Sequence, residues 1–339
     1  IIASAAFMGG CVNVSGVDIK GLDGKNASAY EFYELAKSQD PDLTIDEFLK
    51  KYLSYTDTQA FALQGAINRS LMSGVSVVAC FETVSYDLFG RPIKKSVASF
   101  GSGVITELDK EKGDAYVVTN CHVVYNDTAV NSYISDEIYL YLYGQDDDYN
   151  DRDYAIPATV VGVSSTYDIA LLKVEGSEII RSGTAVAAEF DDADDVYVGE
   201  TVYAIGNPER LGIAATQGII SKDSETIRVD ISSSDYNQNI KTYRVIRTDA
   251  AINGGNSGGG LFNLEGKLAG IVNAKAASED IDNMGYALPS SNVRRLVELM
   301  HSQGYDGETG VEQAYLNASF SAKNRKTKYE NDKLAIYET

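Results

Sequence analysis

The sequence predicts an all-β protein, and three observations support this fold class. From about residue 74, apolar and polar residues alternate with a period of two, and the composition turns to Val, Ile, Tyr and Thr. Clusters of Gly, Asn and Asp separate these runs. About a dozen short runs of this kind are typical of a pair of β-barrels or of a sandwich.

The composition of the chain argues against some classes of function, including nucleic-acid binding. The 339 residues are 44% hydrophobic and 23% charged, which is typical of a globular protein with one large or two modest domains. The formal net charge of -20 disfavours nucleic acid as a partner. The three cysteines form no Cys-x-x-Cys pair, which argues against structural zinc, and a Cys80–Cys121 disulfide stays open. Any imidazole chemistry must use His122 or His301, the two histidines of the chain.

The amino-terminal segment, residues 1–11, is predicted to be the remnant of a lipoprotein-type signal peptide. Small and apolar residues lead into Gly9-Gly10-Cys11, the pattern in which the cysteine is lipidated after cleavage. The alternative is a buried segment with an ordinary thiol. The lipoprotein interpretation predicts an extracytoplasmic protein on a bacterial cell surface, held to the membrane only by a lipid on Cys11. Residues 12–28 are polar and are predicted to be a linker.

Helical periodicity appears on both sides of the β-rich region. Residues 29–72 predict a small helical hairpin with a break at Asp40-Pro41 and a cap at Thr44. This hairpin is a packing or spacer element, or else a binding module. A second helix is predicted over 290–301, with a serine cap. The segment 302–339 ends in the strand-like "KLAIYET" and is predicted to be an appendage or the start of a truncated further domain.

A glycine-rich loop, "INGGNSGGGL", holds a single hydroxyl at Ser257. A nucleophilic serine needs a base, a group that orients the base, and donors for the oxyanion that forms. Glycine adopts the backbone angles that turn several N–H groups toward one point at little cost. The loop is therefore a candidate nucleophile with its oxyanion donors, although a flexible turn would have a similar composition.

The base and the orienting acid have one good candidate each. His122 follows the apolar strand of "DAYVVTNCHVV", and Asp168 precedes the apolar strand of "STYDIALLKVE". An aspartate at the mouth of a buried strand needs a partner, because an unpaired buried carboxylate is costly. His301 lies at the end of the predicted carboxyl-terminal helix, where interaction with the helix dipole is reason enough for a histidine.

These blocks together resemble a known family. "TNCHVV", "DIALLKV" and "TDAAINGGNSGGGLFNLEGKLAGIVNA" are similar to the His, Asp and Ser blocks of chymotrypsin-fold serine proteases, specifically the bacterial HtrA (DegP-like) branch, in the same order. "AIGNP", "QGIIS" and "NMGYALPSSNV" are similar to further blocks of that branch. The resemblance implies a trypsin-like serine protease domain over 73–301, folded as a double six-stranded β-barrel.

The resemblance also assigns roles. It implies that Ser257 is the nucleophile, His122 the general base and then acid, and Asp168 the orienting group. Gly255, Asn256 and Ser257 would form the oxyanion hole, and the reaction would need no metal or organic cofactor. The substrate pocket would include Ala251, Ile252, Asn273 and Ala274. Because Ala251 stands where a trypsin-like specificity would put an acid, we expect a small or medium apolar side chain before the scissile bond.

Some features depart from the branch. Gly254 and Gly260 stand where HtrA proteins usually carry proline, which predicts a softer loop. HtrA proteins usually continue into PDZ domains, of which 302–339 could be the first part. The substrates implied are polypeptides, and trimers are common in the branch, which implies a homo-oligomer. The alternative functions are a catalytically silent lipoprotein of the same fold that binds unfolded or partner chains, and a surface-interaction or solute-binding lipoprotein.

Overall fold

Two closed antiparallel barrels of six strands each form the body of the protein. The computed structural model describes residues 4–7, 10–13, 34, 36–44, 47, 59–87, 89, 91–130, 132–145, 149, 152–191, 196–230, 240–273, 284–303, 325–330 and 333–338. The predicted double six-stranded barrel is confirmed.

The first barrel closes in the order β3-β4-β5-β8-β7-β6. Its strands are β3 (Gly74–Tyr86), β4 (Pro92–Asp109), β5 (Asp114–Thr119), β6 (Glu137–Leu142), β7 (Ile156–Ser164) and β8 (Ile169–Val174). Two short helices are inserted, α2 (Cys121–Val124) after β5 and α3 (Glu178–Ser182) after β8. β-branched and leucine side chains fill the barrel, which leaves the loops at its ends free to carry chemistry.

The second barrel closes in the order β10-β11-β14-β13-β12-β9. Its strands are β9 (Thr201–Gly206), β10 (Ala214–Asp230), β11 (Ile240–Thr248), β12 (Gly260–Asn263), β13 (Leu268–Val272) and β14 (Gly285–Pro289). The separate runs "AATQGIIS" and "TIRVDI" of the sequence predict two strands, but β10 continues from the first run into the second. Its pairing with β11 is irregular between Ile220 and Glu225, where polar residues separate the two runs.

One helix that precedes the two barrels in the chain and one that follows them pack against the second barrel. α1 (Gln59–Leu71) precedes β3, and its Ser70 hydroxyl lies 3.0 Å from the Tyr203 hydroxyl. Burial raises the pKa of Tyr203 to about 12. α4 (Ser290–Gln303) confirms the predicted carboxyl-terminal helix and buries Val293, Leu296 and Met300. None of the helices in the described part of the chain is long and apolar enough to cross a membrane.

The segments outside the barrels are described in part. In the predicted hairpin, residues 36–39 are helical, and Thr44 and Glu47 exchange the hydrogen bonds of a capping box, as the predicted cap requires. Residues 40–43, at the predicted Asp40-Pro41 break, are not helical, and apart from residue 34 the rest of 29–58 lies outside the described residues. Two further strand pairs occur, β1 (Ser4–Phe7) with β2 (Gly10–Asn13), which contains Cys11, and β15 (Arg325–Glu330) with β16 (Lys333–Glu338).

Candidate active site

His122 and Asp168 meet at one end of the first barrel. His122 lies in the short helix α2, which follows β5, and Asp168 ends the turn that leads into β8. The His122 Nδ1 atom is 2.7 Å from Asp168 Oδ2, and the His122 backbone N–H donates to Asp168 Oδ1 at 2.9 Å. The carboxylate therefore fixes both the ring and the backbone of the histidine.

The Asp168 side chain is 7% exposed, and Asp168 has further hydrogen-bond partners. The Asn273 side-chain amide donates to Asp168 Oδ2 at 2.8 Å, and the Asn120 side-chain amide donates to the Asp168 carbonyl at 2.8 Å. Asp168 has φ +54°, a left-handed conformation that is uncommon outside glycine. Because donors converge on this residue from two other segments, the buried charge is compensated and the strained backbone is held.

The Ser257 loop lies against the same end of the barrel. The Ser102 backbone N–H in β4 donates to the Ser257 carbonyl at 2.7 Å. A Cβ atom on Gly258 would lie 3.0 Å from the Asn120 nitrogen, two residues before His122. In the described part of the chain, no hydrogen bond joins Ser257 Oγ to the His122 ring. In many enzymes the hydrogen bond between nucleophile and base tightens only in the substrate complex.

Two N–H groups of the loop have no acceptor within the described residues. The Gly255 and Ser257 amides donate to nothing there, whereas the neighbouring carbonyls are bound. Gly254 O accepts from the Glu209 N–H at 2.8 Å, and Asn256 O accepts from the Gly259 N–H at 3.0 Å. Because the C=O and N–H of a trans peptide point in opposite directions, these bonds set the direction of the two free N–H groups. The arrangement suits an oxyanion hole.

The comparisons with known proteins agree with this geometry. The model of the trypsin-like peptidase domain matches residues 101–271, just over half of the chain and including His122, Asp168 and Ser257. The chain belongs to the trypsin-like peptidase family.

Curated relatives of this chain include members of the HtrA branch, as the sequence resemblance predicts. The chain is 35% identical over 221 residues to the serine protease Do-like HtrA of Bacillus subtilis, covering 65% of this chain and 42% of the relative. It is 35% identical over 226 residues to the periplasmic serine endoprotease DegP of Escherichia coli, covering 66% of this chain and 40% of the relative. The chain thus spans less than half the length of these curated relatives.

A solved structure supports the same fold. The HtrA-type protease AlgW with a decapeptide aligns at a TM-score of 0.51 with 25% identity. The alignment covers 71% of this chain and 67% of that chain.

Three of the four residues predicted for the substrate pocket are described, and their surroundings differ. Ala251 is exposed, and its carbonyl accepts from the Thr216 hydroxyl at 2.9 Å. Ile252 is half-buried and packs so close to Gly285 in β14 that no Cβ fits there. The Asn273 side chain is directed to Asp168, and Ala274 lies outside the described residues.

The remaining predicted positions have structural explanations. Gly260 begins β12, where a Cβ would overlap the Phe262 ring, so packing and not softness requires this glycine. Cys80 and Cys121 are both free thiols. His301 Nε2 lies 2.8 Å from Glu107 Oε1 in β4, a partner that the helix-dipole interpretation of this histidine did not include.

Three residues that contact the site were missed from the sequence. Asn120, Ser102 and Asn207 are all buried and polar. Asn120 lies inside "TNCHVV". The available signal was an asparagine at the end of an apolar run, two residues before the candidate catalytic histidine. Ser102 and Asn207 are far from Ser257 in sequence, and nothing in their local pattern indicates the contact.

Substitution by alanine is expected to have different effects on stability at Gly254 and at Gly255. Gly255 has φ +94°, and a Cβ there would overlap the Asn207 carbonyl, whereas a Cβ on Gly254 would meet only Glu209 Oε1 at 3.6 Å. We expect Gly255→Ala to lower the free energy of unfolding by about 1–3 kcal/mol. Gly254→Ala should leave it unchanged or raise it by up to about 1 kcal/mol. Thermal unfolding of the two variants checks this, and equal destabilisation would contradict the described loop conformation.

Proposed function

We propose that the protein is a serine endopeptidase that cleaves polypeptides through an acyl-enzyme. The observation that carries the proposal is the His122–Asp168 pair, in which the 2.7 Å contact at Nδ1 leaves Nε2 free to act as a base. The adjoining loop, with Ser257 and two N–H groups without acceptors in the described residues, supports it further. His122 Nδ1–H donates to Asp168, which selects the tautomer that can accept a proton at Nε2.

The proposed reaction has two halves. Ser257 Oγ attacks the scissile carbonyl carbon while His122 Nε2 accepts the hydroxyl proton, and the Gly255 and Ser257 N–H groups bind the resulting oxyanion. Asn256 shapes the turn between these donors. The C–N bond then breaks as His122 returns the proton to the leaving amine. Water, activated by the same histidine, hydrolyses the acyl-enzyme and restores Ser257.

The substrates are proposed to be unfolded polypeptides cleaved after small or medium apolar residues. Ile252 packs against Gly285 on the side of the loop where the pocket is expected, and its apolar side chain offers no charge for Lys or Arg. Quality control or processing outside the cytoplasm is the proposed setting, and the relative named as a periplasmic endoprotease supports it.

We also propose a membrane attachment and an oligomeric state for the protein. Lipidation of Cys11 is supported by the Gly9-Gly10-Cys11 sequence. A diacylglyceryl adduct on Cys11, found by mass spectrometry of the protein from its native membrane, would establish it, and an unmodified thiol there would exclude it. A homo-oligomer, with a trimer as the first candidate, is supported only by the likeness to the HtrA branch.

A library of unstructured peptides tests the proposed activity. We expect the purified protein to generate new peptide termini, with alanine, valine and residues of similar size dominating the position before the cleaved bond. Mass spectrometry of the products identifies these termini. Absence of cleavage would contradict the proposed activity, whereas cleavage mainly after Lys or Arg would contradict only the proposed specificity.

A further inference from the structure

Ser102 lies behind the Ser257 loop, at the boundary of the two barrels. It belongs to β4 and is 1% exposed. Both backbone polar groups of Ser102 are hydrogen-bonded. Its N–H donates to the Ser257 carbonyl at 2.7 Å, and its carbonyl accepts from the Thr119 hydroxyl at 2.7 Å. The main chain of Ser102 is thus fixed between the nucleophile loop and the end of the strand that leads to His122.

The direction of the Ser102 hydroxyl proton follows from its two partners. The Asn207 backbone N–H donates to Ser102 Oγ at 2.8 Å, so it occupies a lone pair of that oxygen. The Gly255 carbonyl lies 2.7 Å from Ser102 Oγ and can only accept. The single hydroxyl proton is therefore directed to Gly255 O, and the contact runs from the first barrel to the second.

The conformation of Gly255 depends on the hydrogen bonds of the peptides on either side of it. Its φ of +94° belongs to a region open to glycine, and a glycine can leave it without steric cost. The peptide before Gly255 is held through Gly254 O by the Glu209 N–H, and the peptide after it is held through Gly255 O by Ser102. With both flanking peptides bound, the Gly255 N–H has a set direction. Without the hydroxyl, the peptide after Gly255 would keep only the bond from its Asn256 N–H to the Asn253 carbonyl at 3.1 Å, which stays within the loop and does not reach the first barrel.

We infer that Ser102 is a positioning residue for catalysis: its hydroxyl holds the Gly255 carbonyl and so keeps the Gly255 N–H aimed at the oxyanion. This inference rests on the proposed peptidase activity and assigns a further residue to it. Ser102 does not touch the reacting atoms. Its effect is on the geometry of a donor whose removal typically costs about 10²–10³ in rate.

The test compares Ser102→Ala with Ser70→Ala. Ser70 is the control because it is also buried, at 3% exposure, and its hydroxyl binds the buried Tyr203 hydroxyl and no residue of the Ser257 loop within the described part of the chain. Ser70→Ala leaves the Tyr203 hydroxyl without this partner, whereas Ser102→Ala leaves both the Asn207 N–H and the Gly255 carbonyl without theirs, so both are expected to lower thermal stability and Ser102→Ala by more. The kinetic constants for peptide hydrolysis, the pH–rate profile and the rate of labelling by a fluorophosphonate are then measured for each folded variant.

We expect kcat and the labelling rate of Ser102→Ala to fall by about 10-fold to 100-fold, because a misaimed donor loses part of its effect. KM should change by less than about threefold and the midpoint of the pH–rate profile should not move, since binding and His122 are untouched. Ser70→Ala should stay within about twofold of the native protein. If Ser102→Ala does not fold, Ser102→Cys, which keeps a weak donor, should show an intermediate loss of kcat.

Two results would overturn the inference. One is a folded Ser102→Ala, or a Ser102→Cys used in its place, whose kcat stays within twofold of the native value. The other is an equal loss of kcat in Ser70→Ala, which would assign the effect to general destabilisation. A native protein that neither cleaves peptides nor reacts with the fluorophosphonate would instead overturn the proposed peptidase activity, so the two failures are distinguishable.

Discussion

Ser257→Ala is expected to abolish peptide cleavage, with kcat falling by about 10⁴-fold or more, because no other group can form the acyl-enzyme. The fold should survive. Ser257 Oγ makes no hydrogen bond within the described residues, so its removal leaves no partner unsatisfied. The free energy of unfolding should therefore stay within about 1 kcal/mol of the native value. Cleavage of the peptide library and thermal unfolding, measured on the same preparation, check both expectations.

Ser70→Ala is the control for removal of a buried serine hydroxyl. It should retain cleavage while losing stability, the reverse of the pattern expected for Ser257→Ala. Cleavage by Ser257→Ala within tenfold of the native rate would contradict the assignment of the nucleophile.

Asp168→Asn should have the second-largest effect, a fall in kcat of about 10³–10⁴-fold. The two carboxylate oxygens accept from His122 Nδ1, from the His122 backbone N–H and from the Asn273 amide. An asparagine has only one oxygen, so its NH₂ group must face at least one of these donors. If it faces His122 Nδ1, the ring must carry its proton on Nε2, where it can no longer act as a base. If it faces the backbone N–H, the short helix α2 is displaced.

Asp191→Asn provides the matched control for this change. Asp191 Oδ2 accepts from the Asn263 amide at 2.9 Å, a contact that an asparagine oxygen can keep, and it lies outside the site. We expect its kcat to stay within about twofold of the native value. Measurement of kcat for both variants decides the matter, and an Asp168→Asn enzyme with more than a tenth of native kcat would show that the carboxylate is not needed to orient His122.

Much of this architecture could be predicted from the sequence because local patterns carried it. The period-two runs of the barrels, the capping residue Thr44 and the carboxyl-terminal helix each follow from residues close together in the chain. Ser257, His122 and Asp168 were recognisable because each lies in a short block that resembles a block of the HtrA branch, in the same order along the chain. The free amides of Gly255 and Ser257 fit the role that glycine enrichment indicated.

What could not be predicted depends on contacts between distant segments. β10 runs through the polar residues 222–225 because its pairing with β11 shifts there, and a single sequence does not reveal a bulge. Ser102 reaches Gly255 across 153 positions, and Asn273 reaches Asp168 across 105. Gly260 looked like added flexibility, yet it makes room for the Phe262 ring, whose position depends on the closed barrel.

Labelling with a fluorophosphonate, followed by peptide mass spectrometry, tests the central claim most directly. The probe phosphonylates a serine only where a base and an oxyanion hole act on it together, so the adduct reports the assembled site. The account predicts one adduct per native chain, on the peptide that contains Ser257, and none on Ser257→Ala. No adduct on the native protein, or an adduct on a different residue, would contradict it.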